Sequence, residues 1–189
     1  MRALTGLALA GALALAAPVS AQVPMVRADA AVLNPDTAKT LHAAYDLGAG
    51  IDFGGHYTLL VDYVRQNFSG QTSGYGASWV TLIGGAFEYT LGDWQLNYRR
   101  QFTLGLRGGV MQPHAPFLHA PYLGFAVGFK YPVAKVLRFD GRLEDVLAFP
   151  PRQTATFCDS YNVCVTKSIG GSAQQNFGIF LGFELHGVQ

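Results

Sequence analysis

Apolar residues alternate with polar or small ones along most of the chain after residue 45, the pattern of strands with one apolar face. In 176–186, for example, every odd position is apolar, while the even positions include Asn176, Glu184 and His186. Several alternating segments reach ten or more residues, which is enough to cross a bilayer obliquely. The pattern predicts seven strands, at 45–53, 57–66, 78–91, 94–107, 121–131, 136–149 and 175–186.

Short turns and longer loops alternate between these segments, which is typical of barrels that cross an outer membrane. The predicted turns are 54–56, 92–93 and 132–135, and the predicted loops are 67–77, 108–120 and 150–174. A chain that starts and ends on the turn side has an even number of strands, so an eighth strand is expected within 22–44. The sequence therefore predicts an eight-stranded antiparallel up-and-down transmembrane β-barrel.

The predicted first strand has the weakest pattern of the eight. Residues 22–30 alternate with Val23, Met25 and Arg27 on one face, whereas 34–44 resembles a loop with a short helical turn from Asp36.

Counting across each turn predicts which residues face each other in the hairpins, because opposed residues share a face. In every predicted hairpin apolar residues oppose apolar ones, which indicates one consistent sidedness. The predicted pairs are Ile51–Leu59, Ala49–Val61, Leu91–Trp94, Ile83–Phe102, Phe129–Leu137, Val127–Phe139, Cys158–Cys164, Phe139–Phe183 and Arg138–Glu184.

The same alternation, turned inside out, would describe a soluble lipocalin-like barrel with an apolar cavity. Two features favour lipid on the outside. Trp79 and Trp94 lie at opposite ends of one predicted hairpin, on the apolar face that also carries several tyrosines, as expected of two interfacial aromatic girdles. The polar face is rich in glycine, which suits a narrow lumen. The tyrosines are Tyr45, Tyr57, Tyr63, Tyr89 and Tyr98, and the glycines are Gly48, Gly50, Gly84, Gly124, Gly128, Gly178 and Gly182.

The chain resembles the small bacterial outer-membrane β-barrels with an OmpA-like transmembrane domain. The resemblance lies in AYDLGAGIDFGGHYTLLVDYV, PYLGFAVGFKYPVAKVLRFDGRLEDVLAF and NFGIFLGFEL, within residues 45–185. It implies lipid and lipopolysaccharide as surroundings, delivery by periplasmic chaperones and insertion by the barrel assembly machinery. That machinery reads a final strand ending in an aromatic residue, and this chain departs from the pattern because ELHGVQ follows Phe183.

The N-terminus predicts export through the Sec pathway. Arg2 precedes an apolar stretch from Leu4 to Val19, and small residues lead to a cleavage position after Ala21. Residues 1–21 are therefore interpreted as a signal peptide and 22–189 as the barrel domain. The mature chain carries 12 basic and 12 acidic residues, without any block of like charge, so nucleic acid is not an expected partner.

Cys158 and Cys164 are the only two cysteines, and an exported chain meets an oxidising compartment. A disulfide is therefore predicted, at the tip of a small hairpin within 150–174, and a zinc site is not.

Charged residues occupy the polar face, and charges in a narrow lumen must pair. The predicted network that fills the lumen consists of Asp62, Glu88, Arg99, Lys130, Arg138, Asp140, Arg142, Glu144 and Glu184, and Asp46, Asp52 and Arg107 are also predicted to point inward. Strict alternation places Arg100 outward near the middle of the membrane, where a bulge or a snorkelling side chain would be needed.

No catalytic residue, metal or cofactor is predicted. His114 and His119 lie in a predicted loop without a partner serine or carboxylate, and His42, His56 and His186 are isolated in a loop, in a turn and at the chain end. The first hypothesis is a monomeric, non-enzymatic barrel with an envelope-structural or surface-interaction role. The alternatives are a narrow porin-like channel, an enzyme that modifies lipid A and, last, a soluble periplasmic binder.

Overall fold

Eight of the described strands form one closed antiparallel barrel. The computed structural model describes residues 22–35, 41–67, 79–91, 101–113, 119–158 and 161–187. The strands are β1 (Gln22–Pro35), β2 (His42–Phe53), β3 (Tyr57–Asn67), β4 (Trp79–Leu91), β5 (Gln101–Pro113), β6 (Ala120–Pro132), β7 (Leu137–Ala148), β8 (Gln153–Cys158), β9 (Cys164–Ile169) and β10 (Gln174–His186).

The strand order around the barrel is β1-β10-β7-β6-β5-β4-β3-β2, closed by the pairing of β1 with β2 and with β10. Strands β8 and β9 pair only with each other and form a separate two-stranded sheet between β7 and β10. The predicted eight-stranded up-and-down barrel is therefore confirmed. None of the described residues forms a helix long and apolar enough to span a bilayer.

Side chains alternate strictly between the inside and the outside of the barrel. Phe183 and Leu181 point outward and are 50% and 49% exposed, whereas Arg138 and Asp140 point inward and are 4% and 1% exposed. An exposed band of large apolar side chains with buried charges is the arrangement of a transmembrane barrel, and the inside-out lipocalin alternative is wrong.

The turn at 54–56 and the last hairpin have the predicted registers. Ile51 pairs with Leu59, Cys158 with Cys164 and Phe139 with Phe183. Gly54 and Gly55 both adopt positive φ, at 61° and 77°, which a residue with a side chain rarely tolerates. Asp52 accepts a hydrogen bond from the Gly55 amide at 2.9 Å and so stabilises the turn.

Two other predicted registers are wrong. Leu91 pairs with Phe102 rather than Trp94. The turn expected at 92–93, together with Trp94, Tyr98, Arg99 and Arg100, lies outside the described residues. Phe129 pairs with Gly141 rather than Leu137, because β6 continues to Pro132 and the turn occupies 133–136. Both errors are even shifts, which exchange partners and leave every side chain on its predicted face.

The first strand is longer than its weak pattern indicates. β1 runs to Pro35 and β2 begins at His42, so the loop interpretation of 34–44 was wrong at both ends. Residues 36–40, where the helical turn was expected to begin, lie outside the described residues. Since β1 pairs with β2 along its length, backbone hydrogen bonding compensates for its modest apolar face.

Candidate functional site

The lumen contains a layer of charged side chains contributed by all eight barrel strands. Its members are Arg27, Asp29, Asp46, Asp52, Asp62, Glu88, Arg107, Lys130, Arg138, Asp140, Arg142, Glu144 and Glu184, each of which is buried. Burial of so many charges is tolerable only when each contacts opposite charge, because the loss of hydration is expensive.

Arg107 on β5 joins three strands through its guanidinium. Its Nη2 lies 3.0 Å from Asp46 Oδ2, its Nε 2.8 Å from Asp62 Oδ2 and its Nη1 3.0 Å from Glu144 Oε1. A planar group with five donors suits such a junction better than an ammonium would.

Arg142 and Arg27 extend the network across the lumen. Arg142 Nη1 lies 2.5 Å from Asp29 Oδ2 and 3.0 Å from Asp140 Oδ2, and its Nη2 pairs with Asp46. Arg27 pairs with Glu88 and contacts Asp46 at 3.6 Å and Asp29 at 3.5 Å. The carboxylate of Asp46 therefore receives three guanidinium groups, from Arg27, Arg107 and Arg142.

Lys130 holds two carboxylates together near the turn side of the barrel. Its Nζ lies 2.9 Å from Glu88 Oε2 and 2.8 Å from Glu184 Oε1. Arg138 lies opposite Glu184 in the strand register, and its Nη1 lies 3.4 Å from Asp52 Oδ2. His186, on the same strand as Glu184, contacts it at 3.3 Å and is not isolated at the chain end as expected.

Eight of the nine residues predicted for the network lie together in the lumen, and the ninth, Arg99, lies outside the described residues. Sequence reasoning did not assign Arg27 and Asp29 to the network. Both lie at odd positions of β1, on the same face as Met25, and this alternation could have placed them in the lumen. Within the described residues the inward-facing groups comprise eight carboxylates against five Lys and Arg side chains, so the described part of the layer has an excess of acidic groups.

An apolar layer fills the lumen on the loop side of the charges. On every barrel strand its members lie nearer the loop end than the charged residues do. The members are Ala31, Leu33, Ala44, Val64, Val80, Leu82, Met111, Ala120, Tyr122, Val146, Ala148 and Phe180. A cavity of about 10 Å³ lies between the two layers, and is bordered by Leu82, Arg107, Glu144 and Phe180, among others. This volume is no more than a single water molecule needs.

Phe180 forms the boundary between the two layers. It is 1% exposed, and its ring lies 4.4 Å from the guanidinium carbon of Arg142 and 5.9 Å from that of Arg107. A cation over an aromatic face is favourable when desolvated. The contact allows the apolar layer to pack directly against the charged layer, because the aromatic ring stabilises the two cations that it touches.

Close backbone approach fixes the packing near the apolar layer. Gly84 and Gly109 are paired across β4 and β5, and a Cβ on Gly84 would lie 2.3 Å from the Tyr122 hydroxyl and 2.4 Å from the Gly108 carbonyl oxygen. Only glycine fits this position without movement of the neighbouring strand.

Beyond the loop end of the barrel stands the hairpin of β8 and β9, closed by the Cys158–Cys164 disulfide. Tyr161, Val163 and Val165 are 85%, 60% and 48% exposed, and Asn162 at the tip adopts a positive φ of 61°. The hairpin continues the register of β7 and β10, since Gln153 pairs with Ile169 and Ala148 with Gln174. It is therefore an extension of the barrel wall beyond the membrane.

The remaining described histidines lie on separate elements of the barrel. His42 is buried in β2 rather than in a loop, His56 lies in the 54–56 turn, and His119 is exposed. His114 lies outside the described residues. In the part of the chain that the structure describes, no group of three or more His, Cys, Asp or Glu side chains could hold a metal ion.

Comparison with solved structures relates this architecture to known proteins. Neisserial surface protein A matches with a TM-score of 0.54 and 13% identity, over 87% of this chain and 96% of that one. The chain has the fold of an outer-membrane β-barrel. The N-terminal barrel domain of Pseudomonas aeruginosa OprF matches at a TM-score of 0.45 and 12% identity, over 85% and 97%. Ail of Yersinia pestis matches at 0.41 and 7%, over 87% and 97%.

No family model and no curated protein sequence matches this outer-membrane barrel. The likeness therefore concerns the fold.

Proposed function

We propose that this chain is a monomeric, non-enzymatic barrel of the bacterial outer membrane with an envelope-structural or surface-interaction role. The observation that carries the proposal is the filled lumen below a disulfide-linked hairpin. In this proposal the chain is exported through the Sec pathway, escorted by periplasmic chaperones and inserted by the barrel assembly machinery. Its surroundings are then outer-membrane lipid and lipopolysaccharide.

The filled lumen argues against the porin-like alternative. A solute entering from the loop side has to pass the apolar layer, in which Val80, Met111 and Ala148 are 1%, 0% and 0% exposed. The charged layer lies behind them, and the cavity between the two layers is about 10 Å³. Ions entering an apolar constriction lose their hydration without compensation, so this lumen is expected not to conduct.

The arrangement of charge argues against a lipid-modifying enzyme. The acidic and basic groups form ion pairs inside the barrel, whereas a lipid substrate would approach the outer wall. Catalytic groups need contact with the substrate and a nucleophile held by a base. The exposed His119 shows no such arrangement with its described neighbours.

The hairpin of β8 and β9 supports the surface-interaction part of the proposal. An exposed two-stranded sheet with Tyr161 and Val163 at its tip offers contact area at a low entropic cost, because the disulfide restricts its motion. In an outer-membrane barrel the loop end faces the cell exterior, so the hairpin would be displayed to external partners.

Planar-bilayer recordings of the refolded protein test the closed lumen. We expect no current steps above leak. A heat-modifiable gel shift of the same refolded preparation verifies that the protein is folded. Discrete steps of reproducible size would contradict the proposal and favour the channel.

A shortened variant separates the two roles. Residues 151–172 are replaced by Asn-Gly, and the matched control keeps the full hairpin but carries Cys158→Ser and Cys164→Ser. In cells lacking the protein, dye exclusion restored by the shortened variant assigns an envelope-structural role. Surface adhesion restored only by chains with the hairpin assigns an interaction role. Absence of any effect of deletion on both readouts refutes the proposal.

A further inference from the structure

The lipid-facing wall of the barrel carries very little charge. Among the outward-pointing side chains of the eight described barrel strands, only Arg65 on β3 and Asp145 on β7 are charged. Four strand steps separate β3 from β7 in either direction around the closed barrel, so the two groups lie on opposite sides. Asp145 accepts a hydrogen bond from Gln175 Nε2 at 2.7 Å, whereas Arg65 is surrounded by aromatic and hydroxyl groups.

Arg65 belongs to a cluster on neighbouring strands β2, β3 and β4, which we call the Arg65 cluster: Tyr45, Tyr63, Arg65, Trp79 and Thr81. The Arg65 guanidinium carbon lies 4.6 Å from the centre of the Trp79 ring. The Tyr63 hydroxyl lies within hydrogen-bonding reach of the side chains of Thr81, Arg65 and Tyr45, and the rings of Tyr45 and Tyr63 lie 6.2 Å apart. The guanidinium is therefore held in position by side chains that leave its charge uncompensated.

No carboxylate in the described part of the chain forms an ion pair with Arg65. This separates Arg65 from the five cations of the lumen, all of which contact carboxylates. A cation on the outer wall of a membrane barrel is stabilised only near an interface, where water or an anionic headgroup can reach it.

The height of the cluster follows from the strand register. Tyr57 pairs with Tyr89 at the turn end of β3, with ring centres 5.2 Å apart, and Asn67 pairs with Trp79 at the loop end. Arg65 lies eight residue steps from Tyr57, or about 21 Å along the membrane normal at about 3.4 Å per residue and a tilt of about 40°. The full ten steps from Tyr57 to Asn67 span about 26 Å. This matches an apolar band about 25 Å tall, so the cluster lies at the outer interface.

We propose that the Arg65 cluster binds a lipid phosphate of the outer leaflet, namely a phosphate on the lipid A part of lipopolysaccharide. The planar guanidinium can donate two hydrogen bonds to phosphate oxygens, and the neighbouring tyrosine hydroxyls are further hydrogen-bond donors. The inference rests on the outer-membrane location in the proposed function. The occupant follows from the position of the cluster on the loop-end rim and from its unpaired positive charge.

Binding is measured on refolded protein in detergent, with each variant first shown to be folded by a heat-modifiable gel shift. Purified lipid A carrying two phosphates is titrated, and native mass spectrometry counts the bound lipid. We expect Arg65→Gln to weaken binding at least tenfold, Arg65→Lys to restore part of it, and Asp145→Asn, the control on the opposite wall, to leave it unchanged. Dephosphorylated lipid A should bind the wild type as weakly as intact lipid A binds Arg65→Gln.

Four outcomes would overturn the proposal. These are equal binding of intact lipid A by wild type and Arg65→Gln, equal losses in Arg65→Gln and Asp145→Asn, and equal affinity of the wild type for phosphatidylglycerol. The fourth is displacement of lipid A by millimolar inorganic phosphate, which would identify a site for the free anion. Membrane fractionation tests the cellular location separately, so a failure of the proposed function is distinguishable from a failure of the binding site.

Discussion

Replacing Lys130 by methionine tests whether the charged layer holds the barrel together. Lys130 is 1% exposed, and its Nζ lies 2.8 Å and 2.9 Å from the carboxylates of Glu184 and Glu88. Methionine keeps the length and shape of the side chain and removes the charge. The two glutamates then remain buried in a lumen whose described groups already contain more carboxylates than cations.

The expected cost follows from these distances. At an effective dielectric constant of about 20, each pair contributes about 6 kcal/mol of Coulomb attraction, or about 12 kcal/mol together. Desolvation of the ammonium offsets much of this, and losing one partner of a buried pair typically costs about 3–5 kcal/mol. Arg27 still contacts both glutamates, which limits the loss to that range.

The free energy of unfolding is measured by urea titration in lipid vesicles, with the heat-modifiable gel shift as the readout of folded protein. The matched control is Lys135→Met, the same change at an exposed position of the 133–136 turn, which should cost less than about 0.5 kcal/mol. Adding Glu184→Gln to Lys130→Met should recover about 1–3 kcal/mol, because it removes one unpaired charge. A loss for Lys130→Met as small as that for Lys135→Met, without recovery in the double variant, would refute the reasoning.

Three further predictions concern other parts of the barrel. Phe180→Ala should cost about 3–5 kcal/mol, since it opens a cavity between the two layers, and Phe177→Ala, 45% exposed on the outer face, should cost markedly less in the same unfolding assay. Gly84→Ala should lower stability by about 1–3 kcal/mol, whereas Gly85→Ala, whose Cβ would meet nothing nearer than 3.6 Å, should not; equal losses would contradict the close approach. Cys158→Ser with Cys164→Ser should remove about 2 kcal/mol of local restraint and speed protease cleavage in the hairpin. The unfolding midpoint of this double variant should match that of the wild type. A lowered midpoint would show that the hairpin contributes to the stability of the barrel wall.

The fold was predictable because period-two alternation depends only on which side of the wall a residue occupies. Phe183 and Leu181 face outward and Asp140 inward as the alternation requires. The requirement for an even number of strands also predicted the first strand, although β1 presents Ala28 and Ala30 to the outside and so lacks a strong apolar pattern.

Register was less predictable, because alternation is unchanged when a strand slides by two, four or eight residues. Counting placed Leu91 opposite Trp94 instead of Phe102 because Gly92-Asp93 has the composition of a tight turn. In the 133–136 hairpin the register places Lys130 opposite Asp140, so residues of opposite charge face each other across β6 and β7, which favours this pairing.

The division of the lumen into two layers was not predicted. Phe180 occupies an even, inward position of its strand, and Leu82 and Val146 interrupt the polar positions of theirs, so that in the sequence all three resemble defects in the pattern. Their meaning appears only when all eight strands are aligned in the barrel, since each strand contributes one or two of these residues.

The separation of charged and apolar layers also affects how the barrel can enter the membrane. If the strands are inserted from the periplasm, as proposed above, their loop ends lead. Leu33, Val80 and Tyr122 then precede any ionised group on their strands. The ionised side chains come last and travel the shortest distance into lipid. A partly inserted sheet therefore exposes few unpaired charges to hydrocarbon, and the arginines and carboxylates meet one another as the cylinder closes.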